Sequence, residues 1–102
     1  MTVLVKVLPE KREEFLQAMR SLKNGGKQEG LRKSTLNQAI NDETSFSLIY
    51  EWETKENLDR YLGAEKFRVL LGALRILCEK SEIKYKHISE KLPDLGSVAY
   101  EQ

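Results

Sequence analysis

From Phe46 to Trp52 every second residue is large and apolar, and within two residues of Trp52 the pattern turns helical. A period of two places Phe46, Leu48, Tyr50 and Trp52 on one face of a strand. Thr54 then stands where an N-cap hydroxyl is wanted, a short helix runs to Leu62, and Gly63 breaks it. A second helix follows from about Glu65 to Cys78, carrying Phe67 and the apolar run from Val69. A strand that passes directly into helix in this way fixes much of what can be built around it.

The remaining segments fall into place on the same grounds. Val3 to Leu8 is rich in β-branched residues and ends at Pro9, whose fixed φ suits a strand exit and a first helical turn. From Glu10 the apolar positions become Phe15, Leu16, Ala18, Met19 and Leu22, with Glu10, Glu13 and Glu14 early and Lys23 late, as the helix dipole favours. Asn24-Gly25-Gly26 stops that helix. Leu31 to Ile40 and Ser45 to Glu53 alternate as strands around a turn at Asn41-Asp42, and Glu82 to Ile88 supplies a fourth strand. The order β-α-β-β-α-β predicts an α+β, ferredoxin-like fold with both helices on one face of an antiparallel sheet. Residues 1–90 are expected to form this domain, and 91–102, punctuated by Pro93 and Gly96 but holding Leu92, Leu95, Val98 and Tyr100, a C-terminal tail or an arm laid across a partner.

Parity assigns the sheet faces. Val3, Val5, Val7, Phe46, Leu48, Tyr50, Trp52, Ile83, Tyr85 and His87 share the more apolar side and should meet the helices. The other side mixes Leu4, Leu8, Ile49 and Ile88 with Lys6, Glu51, Lys84 and Lys86. It is too apolar for full solvation and too charged for a core that sets Lys6 beside Glu51. A second copy of the same sheet answers both, which predicts a homodimer through the sheet face.

At 102 residues the chain fits one domain, able to bury about 60–70% of its unfolded surface. A formal charge of +1 gives no pull toward nucleic acid or an acidic membrane surface. Cys78 is the single cysteine, so there is no internal disulfide and no zinc spacing; within its apolar helical run it reads as a small hydrophobe. With no leader ahead of Thr2 and no apolar run of about 18 residues, a soluble, unprocessed, cytoplasmic protein is expected.

Nucleotide loops, serine-hydrolase elbows and paired metal ligands are missing from the sequence. His87 is the lone imidazole; a partly exposed or hydrogen-bonded His at a sheet margin is the plainer reading of its position, and an unperturbed value near 6.5 also suits it to general acid or base work. Trp52, Tyr50 and Tyr61 join it as candidates, either as core rings or as the lining of an apolar cleft whose hydroxyl and indole donors orient a flat aromatic ligand.

Read through Trp52, the flanking Glu51 and Glu53, the Thr54 cap and Phe67, the chain resembles the antibiotic biosynthesis monooxygenase family. The resemblance implies a dimeric α/β barrel, and in the family's oxygenases an activity without cofactor: a phenol or quinol loses a proton and its anion reacts directly with dioxygen. On this reading His87, Trp52 and Tyr61 are the catalytic candidates, and Tyr50, Phe67, Leu71 and Tyr85 form the substrate pocket. The family's haem-degrading branch places a second Trp where Tyr61 stands and an axial His where Leu71 stands, so no haem, metal or other cofactor is expected here. Its oxygenases also use a pocket Asn, for which Asn37 and Asn41 near the hairpin are poor replacements. The expected function is a monooxygenase acting on a small aromatic diol or quinol, with a non-catalytic ligand-binding or structural dimer as the alternative.

Overall fold

The structure, a computed structural model, describes residues 1–85; His87, Ile88 and the expected tail or arm at 91–102 lie outside them. Strand β1 (Thr2–Val7) leads through a 3-10 turn (Pro9–Lys11) into helix α1 (Arg12–Lys23), and strands β2 (Leu31–Ala39) and β3 (Asp42–Trp52) form a hairpin. Helices α2 (Lys55–Leu62) and α3 (Glu65–Leu77) then return the chain to strand β4 (Cys78–Lys84). The sheet order is β2-β3-β1-β4 with every neighbouring pair antiparallel. This is the α+β, ferredoxin-like arrangement expected from the sequence.

Local chemistry explains the element ends. The Thr54 hydroxyl accepts the Asn57 backbone N–H at 3.0 Å, satisfying one of the orphan donors at the start of α2. Helix α1 closes where the Asn24 N–H reaches the Arg20 carbonyl at 3.0 Å, and Gly26 follows with φ +112°, a turn that favours glycine. The hairpin is pinned at its turn by Asp42, whose carboxylate accepts from Lys6 Nζ at 2.7 Å, from the Thr44 N–H and hydroxyl at 2.9 and 2.8 Å, and from the Ser45 hydroxyl at 2.8 Å. Lys6 therefore finds its counter-ion in the turn and is paired across the ladder with Ser45, rather than lying beside Glu51.

One boundary differs from expectation. Cys78 has extended backbone (φ −119°, ψ 144°) and is the first residue of β4, so it belongs to the strand and not to the helical run. Its partner is Val7, while Leu8 donates its N–H to the Leu77 carbonyl at 3.0 Å. Pairing with β1 thus makes Glu79, Lys80 and Ser81, which fell between the expected helix and the expected strand, part of an edge strand. Exposed charges at such an edge oppose further strand pairing.

The helices cover the expected parity. Val3, Val7 and Phe15 are fully buried, and Leu70 and Leu74 nearly so. Phe15 and Phe46 bring α1 and β3 together with ring centroids 5.0 Å apart. Each such side chain, fully buried, is worth about 1.5–3 kcal/mol. On the uncovered face Leu4 and Ile49 are half-buried among Lys6, Ser45, Ser47 and Glu51.

Candidate functional site

Tyr50 and Trp52 come from the end of β3, Tyr61 from the last turn of α2 and Phe67 from the first turns of α3. The capped start of α2 turns that helix back over the strand that precedes it, so these four rings meet. The Trp52 and Tyr61 centroids are 5.0 Å apart, Tyr50 and Tyr61 6.0 Å, Tyr50 and Trp52 6.5 Å, and Tyr61 and Phe67 5.4 Å. Phe67 and Tyr61 are buried, and the Trp52 indole N–H, closed off from solvent, has no hydrogen-bond partner among the described residues.

Beside this cluster lies a cavity of about 310 Å³ between α1 and the β2-β3 hairpin. Leu16, Met19 and Leu22 of α1 form its roof, Leu31 and Ser34 of β2 its outer wall, and Tyr50 and Tyr61 close its inner end. The cavity exists because the helix-facing side of β2 sets Ser34 and Gln38 among its leucines. Ser34, opposite Tyr50 in the ladder, leaves the space that a larger side chain would fill. Gly30 fixes the entry to β2. It sits at φ +80° with its carbonyl accepting the Glu53 N–H at 2.8 Å, and a Cβ there would run into the Asn57 side chain.

Burial raises the Tyr61 phenol well above its ordinary range, and the neighbouring Tyr50 phenol, through charge and hydrogen bonding, raises it further. Burial likewise raises Tyr50, partly offset by its hydrogen bond with Tyr61. Both phenols are therefore protonated donors at neutral pH and not bases. Burial also pushes the Cys78 thiol up to about 11, which removes it as a nucleophile.

The structure gathers Tyr50, Trp52, Tyr61 and Phe67 in one cluster, and two of them, Tyr50 and Tyr61, line the cavity. Trp52 and Phe67 stand behind Tyr61 and are not part of the wall. Leu71 packs on the core, and Tyr85, 39% exposed, follows the end of β4; neither reaches the cavity. A half-buried leucine offers no donor to iron, so the Leu71 position does not fit a haem. Among the described residues no group of His, Cys, Asp and Glu is gathered that could hold a metal ion. Asn37 faces the uncovered side of the sheet with Ser47, and Asn41 is exposed in the hairpin turn.

Sequence reasoning missed the contribution of α1 and β2 to the walls. The signal was present in the weak alternation of β2, where Ser34 interrupts the apolar side facing the helices.

Comparison with known proteins agrees with this architecture. Residues 1–71 match the antibiotic biosynthesis monooxygenase family. Among solved structures, a conserved protein of Methanosarcina mazei superposes with a TM-score of 0.71 at 24% identity, covering 79% of this chain and 82% of that one. A protein of Pseudomonas aeruginosa gives 0.69 at 19% identity over 86% and 91% of the two chains. A structure described as an antibiotic biosynthesis monooxygenase gives 0.71 at 18% identity over 86% and 96%. No curated protein matches. The structural likenesses speak for the fold, and the match over residues 1–71, well over half of the 102-residue chain, shows that it belongs to the antibiotic biosynthesis monooxygenase family.

Proposed function

We propose that this protein is a cofactor-independent monooxygenase acting on a small aromatic diol or quinol bound in the cavity between α1 and β2. The observation that carries the reading is the cavity itself. At about 310 Å³ it falls at the lower end of the roughly 300–1,000 Å³ usual for small-molecule sites, and two phenol donors share its wall with Leu16, Met19, Leu22 and Leu48. A flat ring fits against Leu16, Met19 and Leu48, and its hydroxyl or developing oxyanion accepts from Tyr61 or Tyr50. Loss of the substrate proton gives an electron-rich anion that attacks dioxygen at a ring carbon. The resulting peroxide anion takes up that proton, and the hydroperoxide eliminates water, using the hydrogen of the same ring carbon, to leave a quinone that keeps one oxygen atom. Dioxygen is the oxidant and the substrate the only reductant, so the protein supplies a base, donors and a dry space.

Because both phenols are held protonated, the base falls to His87, the chain's single imidazole, or to a substrate that ionises unaided. Trp52 and Phe67, both tilted against Tyr61, serve as the backing that keeps it aimed. The working unit in this reading is a cytoplasmic homodimer joined through the uncovered sheet face, where Leu4 and Ile49 lie among charges of both signs, as a self-complementary two-fold contact requires. Among the described residues no helix is long and apolar enough to cross a membrane.

The test is oxygen uptake with a panel of hydroquinones and naphthohydroquinones and no added cofactor. Turnover above the autoxidation rate that drops by about a hundredfold or more in His87→Ala supports the reading with His87 as base. Uptake that never exceeds autoxidation across the panel leaves the non-catalytic binding dimer as the better account. Light scattering at micromolar concentration checks the assembly separately: a dimer that dissociates in Ile49→Asp is expected, and a native monomer contradicts it.

A further inference from the structure

We infer that the ligand of this cavity carries an anionic group, a carboxylate or its equivalent, received at the mouth by Arg20, Lys23 and Lys66; this rests on the cavity being the substrate site. Among the described residues those three are the only charged ones in the cavity wall, which includes no described Asp or Glu. The chain as a whole has a formal charge of +1, so a wall of one sign is a local arrangement and not the consequence of a basic protein.

Six of the twelve other Lys and Arg side chains among the described residues are neutralised. Lys6, Lys11, Arg12, Lys55, Arg60 and Arg68 are each within ion-pair distance of a carboxylate. Arg20, Lys23 and Lys66 form no ion pair among the described residues, although they share one opening.

The helix dipole accounts for two of the three at most. Arg20 and Lys23 lie in the last turn of α1, where cations are favoured. Lys66 is the second residue of α3, at the end where its own helix dipole disfavours a cation. It is nonetheless turned across to the loop after α1, where its Nζ donates to the Gly26 carbonyl at 3.3 Å. The arrangement holds like charges from two helices around an apolar space. A bound anion relieves that repulsion, and the low-dielectric wall concentrates the field at the entrance. A neutral diol would leave it unanswered. The anion end would sit at the exposed mouth and the ring would lie inward toward Tyr50 and Tyr61.

The experiment uses two probes of one shape, naphthalene-2-carboxylate and the neutral naphthalene-2-carboxamide, titrated against the fluorescence of Trp52, the only tryptophan, whose ring is 5.0 Å from that of Tyr61 in the cavity wall. The carboxylate is expected to bind about tenfold or more tightly than the amide at low salt, with the gap narrowing as salt rises. The combined variant Arg20→Gln, Lys23→Gln, Lys66→Gln should bring the two probes to the same affinity. Equal affinities in the native protein, or a preference that survives in that variant, overturn the inference while leaving an aromatic site in place. If neither probe binds, the cavity is not a site for flat aromatics and both readings fall together.

Discussion

Over β1 the covered face of the sheet is filled: Val3 and Val7 are sealed beneath Phe15, Leu70 and Leu74. Over β2, only two strands away, no residue of the strand is buried, and the cavity of about 310 Å³ occupies the corresponding space. Both regions belong to one sheet. They differ in the side chains offered to the helices: three valines on β1, against Ser34, Leu36 and Gln38 on β2. Close packing follows where large apolar groups meet from both layers, and where one layer supplies a hydroxyl and an amide the layers stay apart. The filled half holds the fold, which frees the hollow half to hold a ligand.

Substitutions that treat the halves alike should give different results. Phe15→Ala empties the centre of the filled half and is expected to cost about 3–5 kcal/mol in denaturant unfolding; a cost below about 1 kcal/mol would mean that the core is not closed there. Gly30→Ala, at positive φ and against Asn57, should cost about 2 kcal/mol and loosen the β2 side of the cavity in hydrogen exchange, with little change in β1 and β4. Enlargement sharpens the contrast. Val7→Phe should destabilise by about 1–3 kcal/mol through overpacking, whereas Ser34→Leu, which adds volume to empty space, should change stability by less than about 1 kcal/mol and abolish binding of flat aromatics. The smallest effect belongs to the hairpin end, away from both halves. The Lys6 ammonium first, then the Thr44 N–H and the Thr44 and Ser45 hydroxyls, hold the Asp42 carboxyl well below its usual range. A depressed folded-state pKa gives stability that is fully present above the unfolded value of about 3.9 and is lost as pH falls below it. The stability gap between native protein and Asp42→Asn should therefore be constant near neutral pH and shrink below about pH 4, with ligand affinity untouched.

The filled half was legible in the sequence because period-two alternation on β1 and β3 and the Phe15-Met19-Leu22 stripe of α1 each point to one buried face. The aromatic cluster was legible for the same reason, since Tyr50 and Trp52 share parity and the Thr54 cap turns Tyr61 back toward them. The early start of β4 was hidden, because Glu79-Lys80-Ser81 is strand only by virtue of its pairing with β1. The cavity was hidden too. It depends on how far α1 stands from β2, a distance set by tertiary packing and by the loop through Gly26, and no local pattern encodes it. Phe67 and Leu71 follow the helix stripe that the sequence displays, but that stripe faces the filled half.

The central claim, that the space over β2 is a built ligand site, is tested most directly by titrating native protein and Ser34→Leu with 1,4-dihydroxynaphthalene under argon while following Trp52 fluorescence. The account predicts saturable one-to-one quenching in the native protein and none in a Ser34→Leu variant whose unfolding midpoint is unchanged. Quenching of equal strength in both, or none in the native protein, would contradict it.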